Sequence, residues 1–137
     1  MAQSIKLGSD IYLDWSGVTV DNRGTRLNDV AVNTSITAAS GWTIDSSITR
    51  VLRTGRICQL SLGVNATQMN TGWNHVATLP VGCYPFRTVN GVVALNNSSD
   101  DSMQASIDAN DGKIRVYYKA SAATNPSIRL FCTYIGE

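Results

Sequence analysis

Residues 113–119 read Lys113-Ile114-Arg115-Val116-Tyr117-Tyr118-Lys119, and this stretch decides the fold class. Apolar and polar side chains alternate along it one residue at a time. Because successive side chains of a β-strand point to opposite faces of the sheet, a period of two predicts a strand with one buried face. Tyr117 falls out of phase with the apolar positions of this stretch. We therefore expect the Tyr117 ring to point away from the core.

The same alternation occurs in two further stretches, and turn signals separate the apolar runs. The apolar positions are Cys58, Leu60, Leu62 and Val64 in one stretch, and Ile128, Leu130, Cys132 and Tyr134 in the other. The turn signals are Thr54-Gly55, Asn90-Gly91, Asn110-Asp111-Gly112 and Asn125-Pro126. Glycine, asparagine and proline supply the backbone angles of tight turns. Short alternating strands with frequent turns predict an all-β fold, an antiparallel β-barrel or sandwich.

The first forty residues have a different pattern. Apolar pairs recur at short intervals, at Ile5/Leu7, Ile11/Leu13 and Val18/Val20. Strands this short cannot bury a core alone, but equivalent segments from several chains could cover one another's apolar edges. We predict an interlaced β neck over residues 1–40, followed by a head domain over residues 41–137. The alternative is an irregular β-meander that packs on the head.

The charge pattern argues against nucleic acid and membrane partners. Eleven Lys and Arg residues nearly balance ten Asp and Glu residues, which gives a net charge of +1, and the Arg residues are scattered. This pattern offers no basic patch for nucleic acid or anionic lipid, and a neutral partner such as a glycan fits better. The start of the chain lacks the apolar stretch of a secretory signal, and the longest aliphatic run, residues 92–95, is too short for membrane insertion. We expect a protein that is made in the cytoplasm.

The spacing of cysteines and acidic residues predicts no metal and no other cofactor. Cys58, Cys83 and Cys132 are widely separated and form no Cys-x-x-Cys pair, so we expect buried free thiols. Residues 108–112 read Asp-Ala-Asn-Asp-Gly and begin like a calcium loop, but the glycine comes one position early and the distal glutamate is missing. A β-turn explains these residues better.

One succession of segments resembles a known family. The segments are Gly41-Trp42, the hairpin Arg53-Thr54-Gly55-Arg56, residues 79–87 (Leu-Pro-Val-Gly-Cys-Tyr-Pro-Phe-Arg) and residues 90–95 (Asn-Gly-Val-Val-Ala-Leu). Over residues 41–137 this order is similar to the head of lactococcal siphophage receptor-binding proteins. The resemblance implies a homotrimer with a compact β-barrel head on a short interlaced β neck, and saccharide sites at or near the subunit interfaces. It also implies a place at the tail tip or baseplate of the virion, with other tail proteins as partners.

The resemblance also implies one pair of site positions. In the family, a His-x-Asp pair on a late strand holds sugar hydroxyls, and Ser106 and Asp108 stand at the matching positions here. Asp108 keeps the carboxylate, whereas Ser106 replaces the imidazole, so we expect a different ligand preference or a site that has moved. Arg115 follows the next turn, and we expect it to pair with Asp108 across the hairpin.

A saccharide site needs polar groups that pair with adjacent hydroxyls and an aromatic face that covers the apolar side of the sugar ring. The chain offers six candidates: Asp108, Arg115, Gln104, Trp73, His75 and Tyr117. We expect Trp73 and His75 on a loop that precedes a strand at Val76-Ala77, and Gln104 in a loop over residues 96–104. Structural alternatives remain open: Asp108 as a hydrogen-bonding residue on its strand, and Trp73 as a plug at the end of the barrel.

Catalysis is not expected. His75 is the only histidine, and no Gly-x-Ser-x-Gly elbow accompanies it. Aspartates within residues 100–111 could supply the two carboxylates of a glycosidase, but the single glutamate is Glu137. The sequence thus predicts a non-catalytic, multivalent phage receptor-binding head that attaches the virion to a host cell-wall or surface saccharide. The alternatives are a structural baseplate or fibre module that binds no glycan and, less favoured, a small glycan-degrading enzyme.

Overall fold

The computed structural model describes residues 4–8, 11–14, 19–21, 30–99 and 101–137, and every regular element in these residues is a β-strand. This confirms the predicted all-β class. Among the same residues, no helix has the length and apolar content that a bilayer-spanning helix requires.

Three short strands near the N-terminus pair with one another. They are β1 (Ser4–Gly8), β2 (Ile11–Asp14) and β3 (Thr19–Asp21), and they form an antiparallel sheet in sequence order. The first two strands contain the apolar pairs Ile5/Leu7 and Ile11/Leu13, and β3 contains Val20, whereas Val18 lies outside the described residues. Within one chain they make a small meander, and the residues between them lie outside the described residues.

The remaining strands form one large sheet and one two-stranded ribbon. They are β4 (Ala31–Asn33), β5 (Thr37–Ala38), β6 (Trp42–Ile44), β7 (Arg50–Thr54), β8 (Ile57–Ala66), β9 (Gln68–Met69), β10 (Gly72–Thr78), β11 (Val89–Asn96), β12 (Asp101–Ile107), β13 (Lys113–Tyr118), β14 (Ala123–Thr124) and β15 (Ser127–Ile135). The large sheet has the order β4-β7-β8-β15-β11-β12-β13-β10-β5, with β6 paired to β8, and β9 pairs with β14.

The large sheet is antiparallel and strongly curled, so it forms a half-barrel. Its strands include β4 and β5, which precede residue 41. The sheet therefore contains residues on both sides of the predicted division between residues 40 and 41.

The inner face of the half-barrel holds the hydrophobic core, because curling brings the inward side chains of distant strands together. Every apolar position that alternation selected is buried. These residues are Cys58, Leu60, Leu62, Val64, Ile114, Val116, Tyr118, Ile128, Leu130, Cys132 and Tyr134. The period-two patterns in β8, β13 and β15 thus identified the buried face correctly.

The three cysteines are free and buried, as expected. Burial raises the pKa of each thiol, at Cys58, Cys83 and Cys132. The Tyr134 hydroxyl lies in the same layer and donates a hydrogen bond of 2.6 Å to the Cys83 carbonyl. The sulfur atoms therefore serve as small apolar groups of the core.

Two of the predicted glycine turns are present, and one is not a turn. Gly55 and Gly112 have positive φ angles of 58° and 67° and connect adjacent strands. Asn90-Gly91 instead lies inside β11, where the pairing with β12 shifts register between Val89 and Val92. A glycine with positive φ suits a β-bulge as well as a hairpin turn, so the dipeptide alone could not distinguish the two.

Candidate functional site

The candidate site lies on the outer face of three neighbouring strands. β13 pairs with β10 on one side and with β12 on the other, and this register places Tyr117 between Trp73 and Gln104. One row further along the strands, His75 lies beside Arg115. Cross-strand partners share a face of the sheet. Five of the six predicted residues therefore lie on one surface.

The structure corrects the predicted surroundings of Trp73 and His75. Both lie within β10 rather than on a loop before a strand, and Trp73 is 51% exposed rather than a plug of the barrel end. A bulge between His75 and Ala77 shifts the register with β13. The bulge interrupts the alternation of apolar and polar residues, so the sequence pattern did not predict the first half of the strand.

The predicted loop over residues 96–104 is too long, because only a turn at residues 97–99 is present in the described part of it. β11 continues to Asn96 and β12 begins at Asp101, so Gln104 is a strand residue whose side chain is exposed. Asn96 is buried at the end of β11. Its amide oxygen accepts hydrogen bonds from the backbone N–H groups of Ser98, at 3.2 Å, and Ser127, at 3.0 Å, and these bonds offset the cost of burying the amide. Because Asn96 is polar, the sequence pattern indicated a loop at this position, although it is the buried last residue of β11.

A groove of about 410 Å³ lies on this surface, and Tyr117 and Gln104 are among its lining residues. Its polar lining also includes Asp101 and Lys119. The groove therefore combines a phenol ring, a carboxamide, a carboxylate and an ammonium group within one concave patch. Such a combination can both cover a sugar ring and pair with its hydroxyls.

Trp73 packs against the edge of the Tyr117 ring. The two ring centroids are 5.3 Å apart, and the ring planes meet at 61°. Edge-to-face packing of this kind is a favourable aromatic geometry. It restrains the orientation of Tyr117 beside the groove, and the exposed indole extends the aromatic surface toward β10.

The hairpin between β12 and β13 carries a network of charges. Arg115 lies 3.6 Å from a carboxylate oxygen of Asp108 and 3.8 Å from one of Asp111, and Lys113 lies 3.3 Å from Asp111. The predicted pair of Asp108 and Arg115 is therefore present. The backbone N–H of Lys113, with the nearby Lys113 and Arg115 charges, holds the pKa of the Asp111 carboxyl below its ordinary value.

Asp108 has a structural role in this hairpin. It is the first residue after β12 rather than a strand residue, and its carboxylate accepts a 2.7 Å hydrogen bond from the backbone N–H of Asn110. Asp111 accepts one in the same way from the backbone N–H of Lys113, at 3.0 Å. These side-chain caps explain the turn over residues 108–112. Within the described residues, no group of three or more His, Cys, Asp or Glu side chains could hold a metal ion.

His75 holds the bulge of β10 together. Its Nε2 lies 3.1 Å from the carbonyl oxygen of Ala77 and 2.9 Å from the hydroxyl of Thr78. A carbonyl oxygen can only accept, so Nε2 carries the proton in this contact. Loss of hydration lowers the pKa of His75, and the neighbouring Lys113 and Arg115 charges lower it further.

We expect the His75 imidazole to titrate below its ordinary pKa of about 6.5. Because the folded pKa is depressed, the neutral ring contributes stability above pH 6.5, and this contribution is lost as the pH falls through the folded pKa. His75 is the only histidine, so a proton NMR titration reads its ring directly. A midpoint at or above the ordinary value would contradict the burial of this ring, and His75→Gln should remove the corresponding loss of stability.

The structure thus separates the six predicted residues into two groups. Tyr117, Gln104 and Trp73 meet at or beside the groove, whereas His75, Arg115 and Asp108 are engaged with neighbouring groups of the chain. Lys119 lines the groove but was not among the predicted residues. Its place two residues beyond Tyr117 in the alternating stretch was the signal that could have identified it.

The sequence matches no protein-family model and no curated protein. The groove and its side chains are therefore the basis of the functional proposal.

Proposed function

We propose that this chain is the receptor-binding head of a bacteriophage tail protein, which attaches the virion to a host saccharide and catalyses no reaction. The observation that carries the saccharide-binding part of the proposal is the groove beside Tyr117, whose lining combines an aromatic ring with polar groups. The phage part rests on the resemblance over residues 41–137. In this proposal residues 1–40 contribute to an interlaced neck, three chains form the head, and the protein resides at the tail tip or baseplate.

Each part of the groove has a role in saccharide binding. The Tyr117 ring would cover the apolar face of a sugar, with its orientation restrained by Trp73. The Gln104 amide, the Asp101 carboxylate and the Lys119 ammonium would pair with hydroxyl groups. The groove is partly open to solvent, which favours weak binding at each site. Several heads on one virion would convert such weak contacts into firm attachment.

Two of the candidate aspartates, Asp108 and Asp111, are poorly suited to glycoside hydrolysis. A glycosidase needs one carboxyl group whose raised pKa keeps it protonated as the general acid. Asp111 has a lowered pKa, and both Asp108 and Asp111 are occupied by backbone N–H groups and by Arg115. These two carboxylates are suited to fixing the hairpin.

A structural tail module is the second candidate. It is favoured by the exposed apolar side chains on the outer face of β11 and β15, since such a surface fits a protein partner better than a glycan. The two functions can coexist on different parts of the sheet.

The test is titration of the protein with purified bacterial cell-wall polysaccharides, followed by calorimetry and by saturation-transfer NMR. We expect saturable binding to at least one polysaccharide, with saturation transferred from the aromatic protons of Tyr117 and Trp73 to the sugar protons. Reducing ends should not increase during incubation. Binding to none of a broad panel, together with tight binding to a tail protein, would favour the structural module. New reducing ends would favour an enzyme.

A further inference from the structure

The outward side chains of four adjacent strands form one row through the candidate site. Val93 of β11 is the cross-strand partner of Gln104 in β12, and Gln104 is the partner of Tyr117 in β13. Tyr117 is in turn the partner of Trp73 in β10. Because neighbouring strands lie about 4.8 Å apart, the row presents an aliphatic group, a carboxamide and two aromatic rings in even steps. The first three of these side chains line the groove.

Val93 is an apolar side chain at a position where strand alternation normally places a polar one. It is 62% exposed, and it shares the outer face of the sheet with its partner Gln104. Beyond Val93 the outer surface stays apolar, since Val93 also lines a second groove together with Leu95 and Phe131. The methyl groups of Val93 therefore gain from contact with a small apolar group of a ligand. A hydroxyl group of a sugar does not supply this contact.

Gln104 lies between the aliphatic and the aromatic part of the row. Its exposed carboxamide offers two N–H donors and one carbonyl acceptor. It can therefore donate to the carbonyl oxygen of a ligand amide or accept from the amide N–H. A hydroxyl group would also satisfy Gln104, so this side chain alone does not select an amide. The selection arises because Val93 follows Gln104 in the row.

The surroundings of Tyr117 determine on which side a ligand substituent extends. On the β10 side, the Trp73 ring packs against Tyr117 with a centroid distance of 5.3 Å. In the next row of the sheet, Arg115 is engaged with the carboxylates of Asp108 and Asp111. The open side of Tyr117 is the groove. A sugar ring that stacks on Tyr117 therefore directs its substituent over β12 toward β11.

We infer that the groove selects an N-acetylated amino sugar. The sugar ring stacks on Tyr117, the amide of its acetamido group pairs with Gln104, and the terminal methyl group packs on Val93. The covalent order of ring, amide and methyl in such a sugar follows the order of these side chains across β13, β12 and β11. The inference rests on the proposed function and deepens it, because it names the class of saccharide and adds Val93 as a specificity-determining residue.

The test modifies the acetamido groups of the wall polysaccharide that binds in the panel described above. Removal of the N-acetyl groups leaves amines, re-acetylation restores the original polysaccharide, and N-formylation restores a neutral amide without the methyl group. We expect deacetylation to raise the dissociation constant at least about tenfold, since the amide and methyl contacts are both lost. Re-acetylation should restore the affinity. The formylated polysaccharide should bind about fourfold more weakly than the original, which is the effect of one buried methyl group.

Val93→Thr tests the methyl contact from the side of the protein. Threonine keeps the branched shape and the strand propensity of valine at this exposed position, but it replaces one methyl group by a hydroxyl group. The variant should bind the acetylated and formylated polysaccharides with nearly equal affinity in calorimetry. Val81→Thr is the matched control, because Val81 is 83% exposed and is not part of the groove. This control should keep the preference of the parent, and circular dichroism should show the same folded β spectrum for both variants.

Four results would overturn the inference alone. They are equal affinity before and after deacetylation, a loss of affinity that re-acetylation does not reverse, a bound polysaccharide that contains no acetamido sugar, and a Val93→Thr protein that keeps the preference of the parent for the acetylated form. Failure of the proposed function gives a different result, since no polysaccharide of the panel then binds. That result would refute the proposed function and the inference together.

Discussion

Gly112→Ala is expected to lower the free energy of unfolding by about 3 kcal/mol, because two costs add at this position. Gly112 has a φ angle of 67°, which a residue with a Cβ adopts with strain. An added methyl group would also overlap the ring of Tyr84, whose Cδ1 would lie only 2.6 Å away. Tyr84 packs against the core and cannot yield freely. In a chain of this size the melting temperature should fall by roughly 10 °C.

Gly55→Ala is the matched control. Gly55 has a similar positive φ of 58°, but no atom lies within 4 Å of the position of an added Cβ. It should therefore show the backbone strain alone, about 1 kcal/mol. Urea unfolding of both variants, and of Gly112→Ala combined with Tyr84→Ala, separates the two costs. Equal losses for Gly112→Ala and Gly55→Ala would show that the contact with Tyr84 contributes nothing.

Tyr117→Ala is expected to weaken binding to a soluble wall oligosaccharide about tenfold, because one aromatic face contributes about 1.5 kcal/mol. In the proposed multivalent attachment to intact wall, several sites engage together and the losses at each site multiply. The loss there should be on the order of a hundredfold or more. Calorimetry measures the first quantity, and a pull-down with isolated cell walls measures the second.

Phe86→Ala controls for removal of an aromatic side chain. Phe86 is 57% exposed and contacts Arg56 and Arg87 rather than the groove, so its loss should leave glycan binding unchanged. The assignment of the groove fails if Tyr117→Ala and Phe86→Ala bind both forms of the glycan equally well.

Strand alternation and turn residues predicted the core of this fold. The inward positions of β8, β13 and β15 followed a strict period of two, and each of them is buried. The prediction failed where a strand contains an irregularity. The bulges near His75 and Gly91 each add a residue to one strand, and a period-two pattern that slips by one position no longer indicates a strand.

The site could be predicted only in part, because its composition depends on which strands become neighbours. Alternation correctly predicted that Tyr117 points outward. Trp73 and Gln104 lie beside Tyr117 only because β13 pairs with β10 and β12. That pairing brings together residues far apart in the sequence. Asp108 illustrates the opposite case, since local turn chemistry occupies its carboxylate within the hairpin. A local pattern identifies the face of the sheet on which a residue lies, but it does not identify the residue's neighbours on the adjacent strands.

The alternation of inward and outward side chains also bears on how this protein could be given a new specificity. Tyr117 and Gln104 point outward from strands whose inward residues, such as Val116 and Ala105, fill the core. The outward positions can therefore be randomised in a display library while the inward positions are kept. The half-barrel would then act as a constant scaffold with an exchangeable recognition surface.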